Sequence, residues 1–257
     1  MNQPTSILSL ELPLESAETS GRVIVPFVHP AWLTLRRLGD MRRRERRLAL
    51  LDAMGIDPRK VCMVRQTHSR RVLDAADLVR AGSSAADEER VEGDGIVSGP
   101  GGPFLAVGVG DCAPLYLADS RTGAYALLHS GWRGTGILRV AVERLVRDFG
   151  SRPGDLVLTI GPCISADAYA VDDARAREYL AWGADAVVYR DDRPYLDMRA
   201  ANAGIARELG IPVVSVANHC TYTTSQLGSF RREGADRYTG MLALLGPAET
   251  SDEEDGA

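Results

Sequence analysis

Residues 104–134 of the chain read FLAVGVGDCAPLYLADSRTGAYALLHSGWRG. Three short apolar runs, 104–109, 113–118 and 125–128, are separated by turn signals. The segment 119–123 (DSRTG) is typical of a tight turn, so the second and third runs are predicted to form a β-hairpin. This hairpin carries the two most chemically active side chains of the region, a cysteine at its entrance and a histidine at its exit.

The hairpin brings Cys112 close to His129 before anything else of the fold is known. If the turn is centred on Arg121, Cys112 faces residue 130 and His129 faces residue 113. A shift of one residue would place Cys112 opposite His129, and the sequence leaves the register open. In either register the two side chains begin within one pair of each other, where opposite Cβ atoms lie about 4.5–5.5 Å apart. A thiolate and an imidazole at that separation can bind one metal ion.

Outward from the hairpin, helices and strands alternate without a linker that would divide the chain. Apolar spacing and capping residues predict helices over 40–54, 135–149, 172–182 and 198–209. The remaining apolar runs predict strands over 22–28, 61–67, 156–160, 186–190, 213–217, 227–231 and 238–245. This order predicts a mixed-sheet α+β or α/β fold in a single domain over residues 1–247.

Composition excludes several classes of protein. The chain has 257 residues, with 30 Lys and Arg against 35 Asp and Glu, and five of the acids fall in residues 248–257. We predict a disordered acidic tail there, and the balanced remainder argues against a nucleic-acid partner. No run of about 18 apolar residues predicts a membrane span. Four cysteines without a recognisable export signal lead us to expect a cytoplasmic protein with reduced thiols.

The segment after His129 predicts a binding site for an anionic or polar group. It reads Gly131-Trp132-Arg133-Gly134 and leads into the helix predicted to begin at 135. Glycines let the backbone approach a ligand closely, and a helix N-terminus attracts anions. Arg133 adds a fixed cation, so we expect it to hold one end of a small-molecule substrate. Trp132 has two interpretations, stacking on a base or covering the core.

Six segments occur in the order found in the laccase-domain family, also called the YfiH-like or multicopper polyphenol oxidoreductase family. They are RQTH (65–68), EGDGIV (92–97), GDCAP (110–114), ALLHSGWRG (126–134), IGPCI (160–164) and CTYTTSQLGSFRREG (220–234). The resemblance implies a mixed α/β sandwich with a mononuclear zinc site formed by His68, Cys112 and His129. It also implies phosphorolysis of adenosine, inosine and methylthioadenosine, with phosphate as co-substrate, and deamination of adenosine.

The residues themselves agree with a catalytic zinc site. Two imidazoles and one thiolate suit zinc, with copper as the second choice, and three protein ligands leave one coordination position open. Asp111, next to Cys112, and Asp94, in a Gly-Asp-Gly turn, are candidates for handling protons. The alternatives are a turn residue for Asp94 and a side chain that points away from the site for Asp111.

Other functions are compatible with the same residues. Some family members resemble a peptidoglycan editing factor that removes misincorporated serine, and one family name suggests a copper polyphenol oxidase. Four histidines cannot supply both a blue copper centre and a multi-histidine cluster, which argues against the oxidase. A metal-free hydrolase with Cys112 as nucleophile and His129 as base is a further alternative, as is a non-catalytic zinc-binding protein. The oligomeric state stays open.

The chain departs from the family pattern at small residues. Ser69 stands where Gly is usual, and Gly110 and Ser130 stand where Ala is usual. The first 60 residues depart more, because they lack the family's Gly-Gly-x-Ser segment.

Overall fold

The computed structural model describes residues 5–14, 22–25 and 27–248, so the predicted acidic tail lies, beyond its first residue, outside the described part. The strands are β1 (Ser6–Leu10), β2 (Arg22–Ile24), β3 (Ala31–Thr34), β4 (Val61–Met63), β5 (Val72–Asp74), β6 (Gly95–Ser98), β7 (Phe104–Val109), β8 (Ala113–Asp119), β9 (Tyr125–Ser130), β10 (Leu156–Ile160), β11 (Val187–Arg190), β12 (Arg193–Leu196), β13 (Val213–Ala217) and β14 (Met241–Leu245). The α-helices are α1 (Arg44–Ala53), α2 (Ala75–Arg80), α3 (Ile137–Phe149), α4 (Asp173–Tyr179), α5 (Met198–Leu209) and α6 (Phe230–Glu233).

Two mixed sheets carry the fold. The larger sheet has seven strands in the order β1-β13-β10-β8-β9-β6-β5, and the smaller has five in the order β2-β3-β14-β7-β4. Strands β11 and β12 form a separate hairpin. Both sheets mix parallel and antiparallel neighbours, as the alternation of hairpins with helices predicts.

Strand alternation divides the buried side chains between layers. In β8, Leu115 and Leu117 pack on the side that α3 and α5 cover, whereas Tyr116 and Ala118 face the smaller sheet. The outer face of the smaller sheet packs against α1. The result is a β-sandwich flanked by helices, and it confirms the predicted mixed α/β fold class.

The predicted hairpin is present as β8 and β9, but in a different register. Pro114 pairs with His129 and Ala113 with Ser130, so the pairing is one residue away from the turn centred on Arg121 and is shifted in the opposite direction to the alternative. Cys112 therefore lies two positions, not one or none, from the partner of His129. Because side chains alternate with a period of two, this shift leaves Cys112 and His129 on the same face.

Two predicted element boundaries and one predicted element are wrong. The helix predicted from residue 40 begins at Arg44, because the Asp40 carboxylate accepts from the backbone of Arg42 outside the helix. The helix predicted from residue 135 begins at Ile137, after Gly136 at a φ of 98°. The strand predicted over 227–231 is absent.

In place of that strand, α6 begins behind Ser229. The Ser229 hydroxyl accepts from the backbone N–H of Arg232, and the Glu233 carboxylate accepts from the backbone N–H of Ser229. These reciprocal bonds stabilise the start of a helix and outweigh the apolar pattern. None of the helices in the described part of the chain has the length and apolar character needed to cross a membrane.

Candidate metal centre

Three side chains converge where the ends of the larger sheet meet the loop after β4. The ligand atoms of His68, Cys112 and His129 all lie within 4.8 Å of one another. His129 ends in a buried position on β9, Cys112 is half-buried just before β8, and His68 is exposed. Two nitrogens and one sulfur at these separations can hold one borderline metal ion. Within the described ranges, this is the one such group of three or more potential ligands.

Asp94 holds two of these residues from beneath. Its Oδ1 lies 2.9 Å from Nδ1 of His129 and accepts the backbone N–H of His68 at 3.0 Å. Its Oδ2 accepts the backbone N–H groups of Thr67 and Ser69, at 3.1 and 2.7 Å. A carboxylate on Nδ1 directs the Nε2 lone pair of His129 outward, which is the usual support of a metal-binding histidine.

The same bonds sustain an unusual backbone at His68. Its φ is 59°, a left-handed conformation that side chains other than glycine rarely adopt. Asp94 is wholly buried and collects three consecutive backbone N–H groups, so it stabilises this tight loop as well as orienting His129.

The charges of the site favour an ionised cluster. Burial alone would raise the pKa of Cys112, but the imidazoles of His129 and His68 outweigh it and lower this pKa to about 6. Burial alone would lower the pKa of His129, but Cys112 and Asp94 raise it to about 9. The pKa of Asp94 is held well below its usual value, because its hydrogen bonds outweigh burial. A thiolate beside an imidazolium results, in which a metal cation can replace the proton.

Gly131 makes room for this cluster. A Cβ at this position would lie 2.7 Å from Sγ of Cys112 and 3.1 Å from Cδ2 of His68. The glycine after His-Ser in the motif is therefore required by the close approach of the two side chains, and not by the backbone conformation.

Two departures from the family pattern have partners inside the structure. The Ser69 hydroxyl donates to Oδ2 of Asp94 at 2.7 Å, which adds a bond that glycine cannot make. The buried Ser130 hydroxyl donates to the side chain of Asn202 at 3.2 Å. Gly110 faces the ring of Tyr238, where a Cβ would approach to 3.3 Å.

The cluster opens into a cavity of about 540 Å³, a size typical of small-molecule sites. We call His68, Cys112 and His129 the metal wall. Opposite it, aromatic rings and arginines form what we call the aromatic wall, namely Arg42, Trp132, Tyr169, Arg175, Phe230, Arg231 and Tyr238. Cations lie over several of these rings. Arg42 is 3.9 Å from the centroid of Tyr238, and Arg175 is 4.5 Å from that of Trp132.

Arg133 does not line this cavity. It is exposed, and its guanidinium lies 5.1 Å from the Trp132 ring. The start of α3 is not part of the cavity wall either, because Gly136 packs against the ring of Trp182. Trp132 itself is half-buried and faces the cavity, so it both covers the core and is available to a ligand.

Asp111 lines the cavity and also ties two segments together. Its Oδ1 accepts from the hydroxyl of Thr221 at 2.6 Å, and its Oδ2 accepts from the backbone N–H of Arg231 at 2.6 Å. It therefore anchors α6 beside the metal wall. Of the aromatic wall, sequence analysis considered only Trp132 as a ligand contact. Residues 230 and 231 do lie in a quoted motif, and Arg42 begins the basic run RRRERR, so these positions carried a signal.

Comparisons with known proteins agree with this architecture. The family described as "Multi-copper polyphenol oxidoreductase laccase" matches residues 39–246. The chain is 31% identical over 191 residues to "Adenosine deaminase RL5" from an unknown prokaryotic organism, covering 70% of this chain and 72% of that protein. It is 35% identical over 159 residues to "Purine nucleoside phosphorylase" of Deinococcus radiodurans, covering 60% of this chain and 61% of that protein.

Solved structures show the same fold. YlmD from Geobacillus stearothermophilus superposes with a TM-score of 0.80 at 24% identity, over 89% of this chain and 97% of that one. The hypothetical protein YfiH of Bacillus licheniformis gives 0.79 at 21% identity, over 90% and 98%. With the family match spanning most of the sequence, and with the quoted motifs meeting at one cavity, the chain belongs to the multi-copper polyphenol oxidoreductase laccase family.

Proposed function

We propose that this protein is a zinc-dependent enzyme of purine nucleosides, which cleaves adenosine, inosine and methylthioadenosine with phosphate and deaminates adenosine. The observation that carries the proposal is the metal wall itself, three ligand atoms within 4.8 Å of one another at the side of an open cavity. The names of the relatives, purine nucleoside phosphorylase and adenosine deaminase, supply the substrate class.

The donor set supports zinc over copper as the metal. Two imidazoles and one thiolate fit a zinc site with an open position, and such an ion supplies Lewis acidity to the group beside it. A multicopper oxidase needs a further histidine cluster, and the whole chain has only four histidines. His29 contacts the carbonyl of Gly246 and His219 lies beside Glu11, so neither joins the metal wall.

The aromatic wall supports a nucleoside as substrate. A purine is a flat apolar ring system that stacks on aromatic and guanidinium faces, and Trp132, Tyr169 and Tyr238 offer such faces on the cavity wall. In phosphorolysis the bond from C1′ to N9 breaks, a phosphate oxygen bonds to C1′, and N9 takes a proton. In deamination, water replaces the amino group at C6 and ammonia leaves.

The acidic residues receive different roles in this proposal. Asp94 is wholly buried with both oxygens bonded, so we assign it the positioning of His129 and not proton transfer. Asp111 lines the cavity next to Cys112 and is the better candidate for moving a proton at the substrate. Arg133 acts through Trp132, on which it stacks.

Elemental analysis and a product screen test the proposal together. We expect about one zinc per chain in the wild type, and loss of zinc in His68→Ala, Cys112→Ala and His129→Ala. His219→Ala is the matched control, because it removes a histidine away from the cavity and should retain zinc. Unchanged zinc in His129→Ala would contradict the ligand assignment.

The screen supplies adenosine with and without phosphate and separates products by chromatography. Adenine that forms only with phosphate indicates phosphorolysis, and inosine that forms without phosphate indicates deamination. If neither appears, release of serine from a cell-wall precursor becomes the next activity to measure.

A further inference from the structure

Two arginines lie at the end of the cavity where α1 and the segment before β6 meet. Arg47 is 2% exposed and Arg90 is half-buried, and both line the cavity. Nη1 of Arg47 donates to the carbonyls of Met41 and Arg42 at 2.9 and 2.8 Å. Nη1 of Arg90 donates to the carbonyl of Asp87 at 2.6 Å. Each guanidinium also has a buried Nε without a hydrogen-bond partner among the described residues.

Other arginines on the cavity wall have acidic partners, whereas these two do not. Arg42 pairs with Asp40 and Arg65 with Glu92. In the part of the chain that the structure describes, no carboxylate forms a salt bridge with Arg47 or Arg90. The Asp87 side chain is engaged with Ser84 instead.

Buried cations without a counter-charge are unfavourable, and the two guanidiniums also repel each other. Burial, and next the positive charge of Arg90, lower the pKa of Arg47 to about 10, so it remains charged at neutral pH. A structural role for Arg47 explains its bonds to the two backbone carbonyls. It does not explain why a second unpaired arginine lies beside it with a free, buried N–H.

We propose that Arg47 and Arg90 form a binding subsite for an oxyanion, and that its occupant is inorganic phosphate. The identity of the occupant rests on the proposed function, in which phosphate is the co-substrate. Two guanidiniums offer planar donor forks that match phosphate oxygens, and a dianion neutralises both charges at once. The subsite shares one cavity with the metal wall, so phosphate and nucleoside can be bound together.

Direct titration with inorganic phosphate tests this subsite on the purified full-length chain, without nucleoside. We expect the wild type to bind phosphate, by calorimetry or ³¹P NMR, and Arg90→Gln to bind it at least tenfold more weakly. Arg47→Lys keeps the charge but loses the fork, and should also weaken binding. Arg46→Gln is the matched control, because Arg46 is exposed on the same helix and outside the cavity lining.

Two further arms make the outcome decisive. Circular dichroism confirms that each variant is folded, and Cys112→Ala separates phosphate held by the arginines from phosphate held at the metal. Persistence of binding in Cys112→Ala supports the subsite. Equal phosphate affinity in wild type, Arg90→Gln and Arg47→Lys would overturn it, as would a wild type that binds adenosine 5′-monophosphate but no free phosphate. Because no turnover is measured, these results stand even if the nucleoside chemistry fails.

Discussion

The two walls of the cavity are held in different ways. Side chains of the metal wall are fixed through the backbone, since β9 presents His129 and Asp94 binds both its ring and the backbone of His68. Side chains of the aromatic wall are held by one another, through stacks such as Arg42 on Tyr238 and Arg175 on Trp132. Backbone anchoring suits a metal site, whose ligand distances tolerate little error, whereas stacked side chains can adjust to a substrate.

Removing the metal tests the metal wall as a whole and should have the largest effect. A chelator strong enough to strip zinc is expected to reduce adenosine turnover to background, and added zinc is expected to restore it. The reason is that Cys112 serves as a ligand in this reading, so it is not free to act as a nucleophile.

The metal-free Cys–His hydrolase predicts the opposite result. The lowered pKa of Cys112 suits a nucleophile as well as a ligand, so stripping would leave activity intact and a thiol alkylator would then abolish it. Full activity in a preparation shown to be free of zinc would contradict the zinc enzyme.

Replacing Asp94 by Asn tests how far the metal wall depends on its buried support. The Asn amide group would face backbone N–H donors, so we expect zinc affinity to fall about 10–100-fold. The free energy of unfolding of the metal-free protein should fall by about 1–3 kcal/mol. Competition with a chromophoric chelator and urea denaturation measure the two effects. Asp77→Asn, at an exposed carboxylate of α2, is the control.

The pH dependence of this stability difference follows from the sign of the pKa shift. The folded pKa of Asp94 lies below the unfolded value of about 3.9, so its contribution is present above that pH. It is lost as the pH falls through the folded pKa. The difference between wild type and Asp94→Asn should therefore be constant near neutrality and should narrow below about pH 4; a difference that widens in acid would contradict this role.

Gly131→Ala should have a smaller effect on the same wall. The added methyl group would overlap Sγ of Cys112 at 2.7 Å, and overpacking of this kind costs about 1–3 kcal/mol. Zinc affinity should fall about tenfold while the fold is retained, since Gly131 has no left-handed φ. Gly154→Ala, where nothing lies within 4 Å of the new Cβ, should change neither zinc affinity nor stability.

The metal wall could be predicted from sequence because its geometry is local. Cys112 and His129 flank one hairpin, and RQTH and EGDGIV are short motifs, so proximity followed without the complete fold. The register was wrong because the turn is longer by one residue than assumed: Asp119 donates its N–H to Ala124, with Gly123 at a φ of 72°.

The aromatic wall could not be assembled from sequence in the same way. Tyr169, Arg175 and Tyr238 come from separate loops and helices, and no spacing relates them. Arg47 was one of several arginines at the start of a helix, and a solvated helix face was the simpler interpretation. Only the packing of α1 onto the smaller sheet shows that this one guanidinium is buried.

Arg133 gives the last and smallest test, because it stands behind the aromatic wall and not in it. Two roles make different predictions. If the planar fork of Arg133 holds the substrate directly, Arg133→Lys should impair turnover about as much as Arg133→Ala. If Arg133 only supports the ring of Trp132, the loss is that of an exposed cation–π contact, about 0.5–1 kcal/mol. We expect the second result, a rise in KM of about two- to fivefold with kcat and zinc content unchanged. Arg175→Ala should raise KM more, because Arg175 stacks on the same ring and also lines the cavity. An Arg133→Ala variant that is more damaging than Arg175→Ala would move the substrate's polar end toward the start of α3.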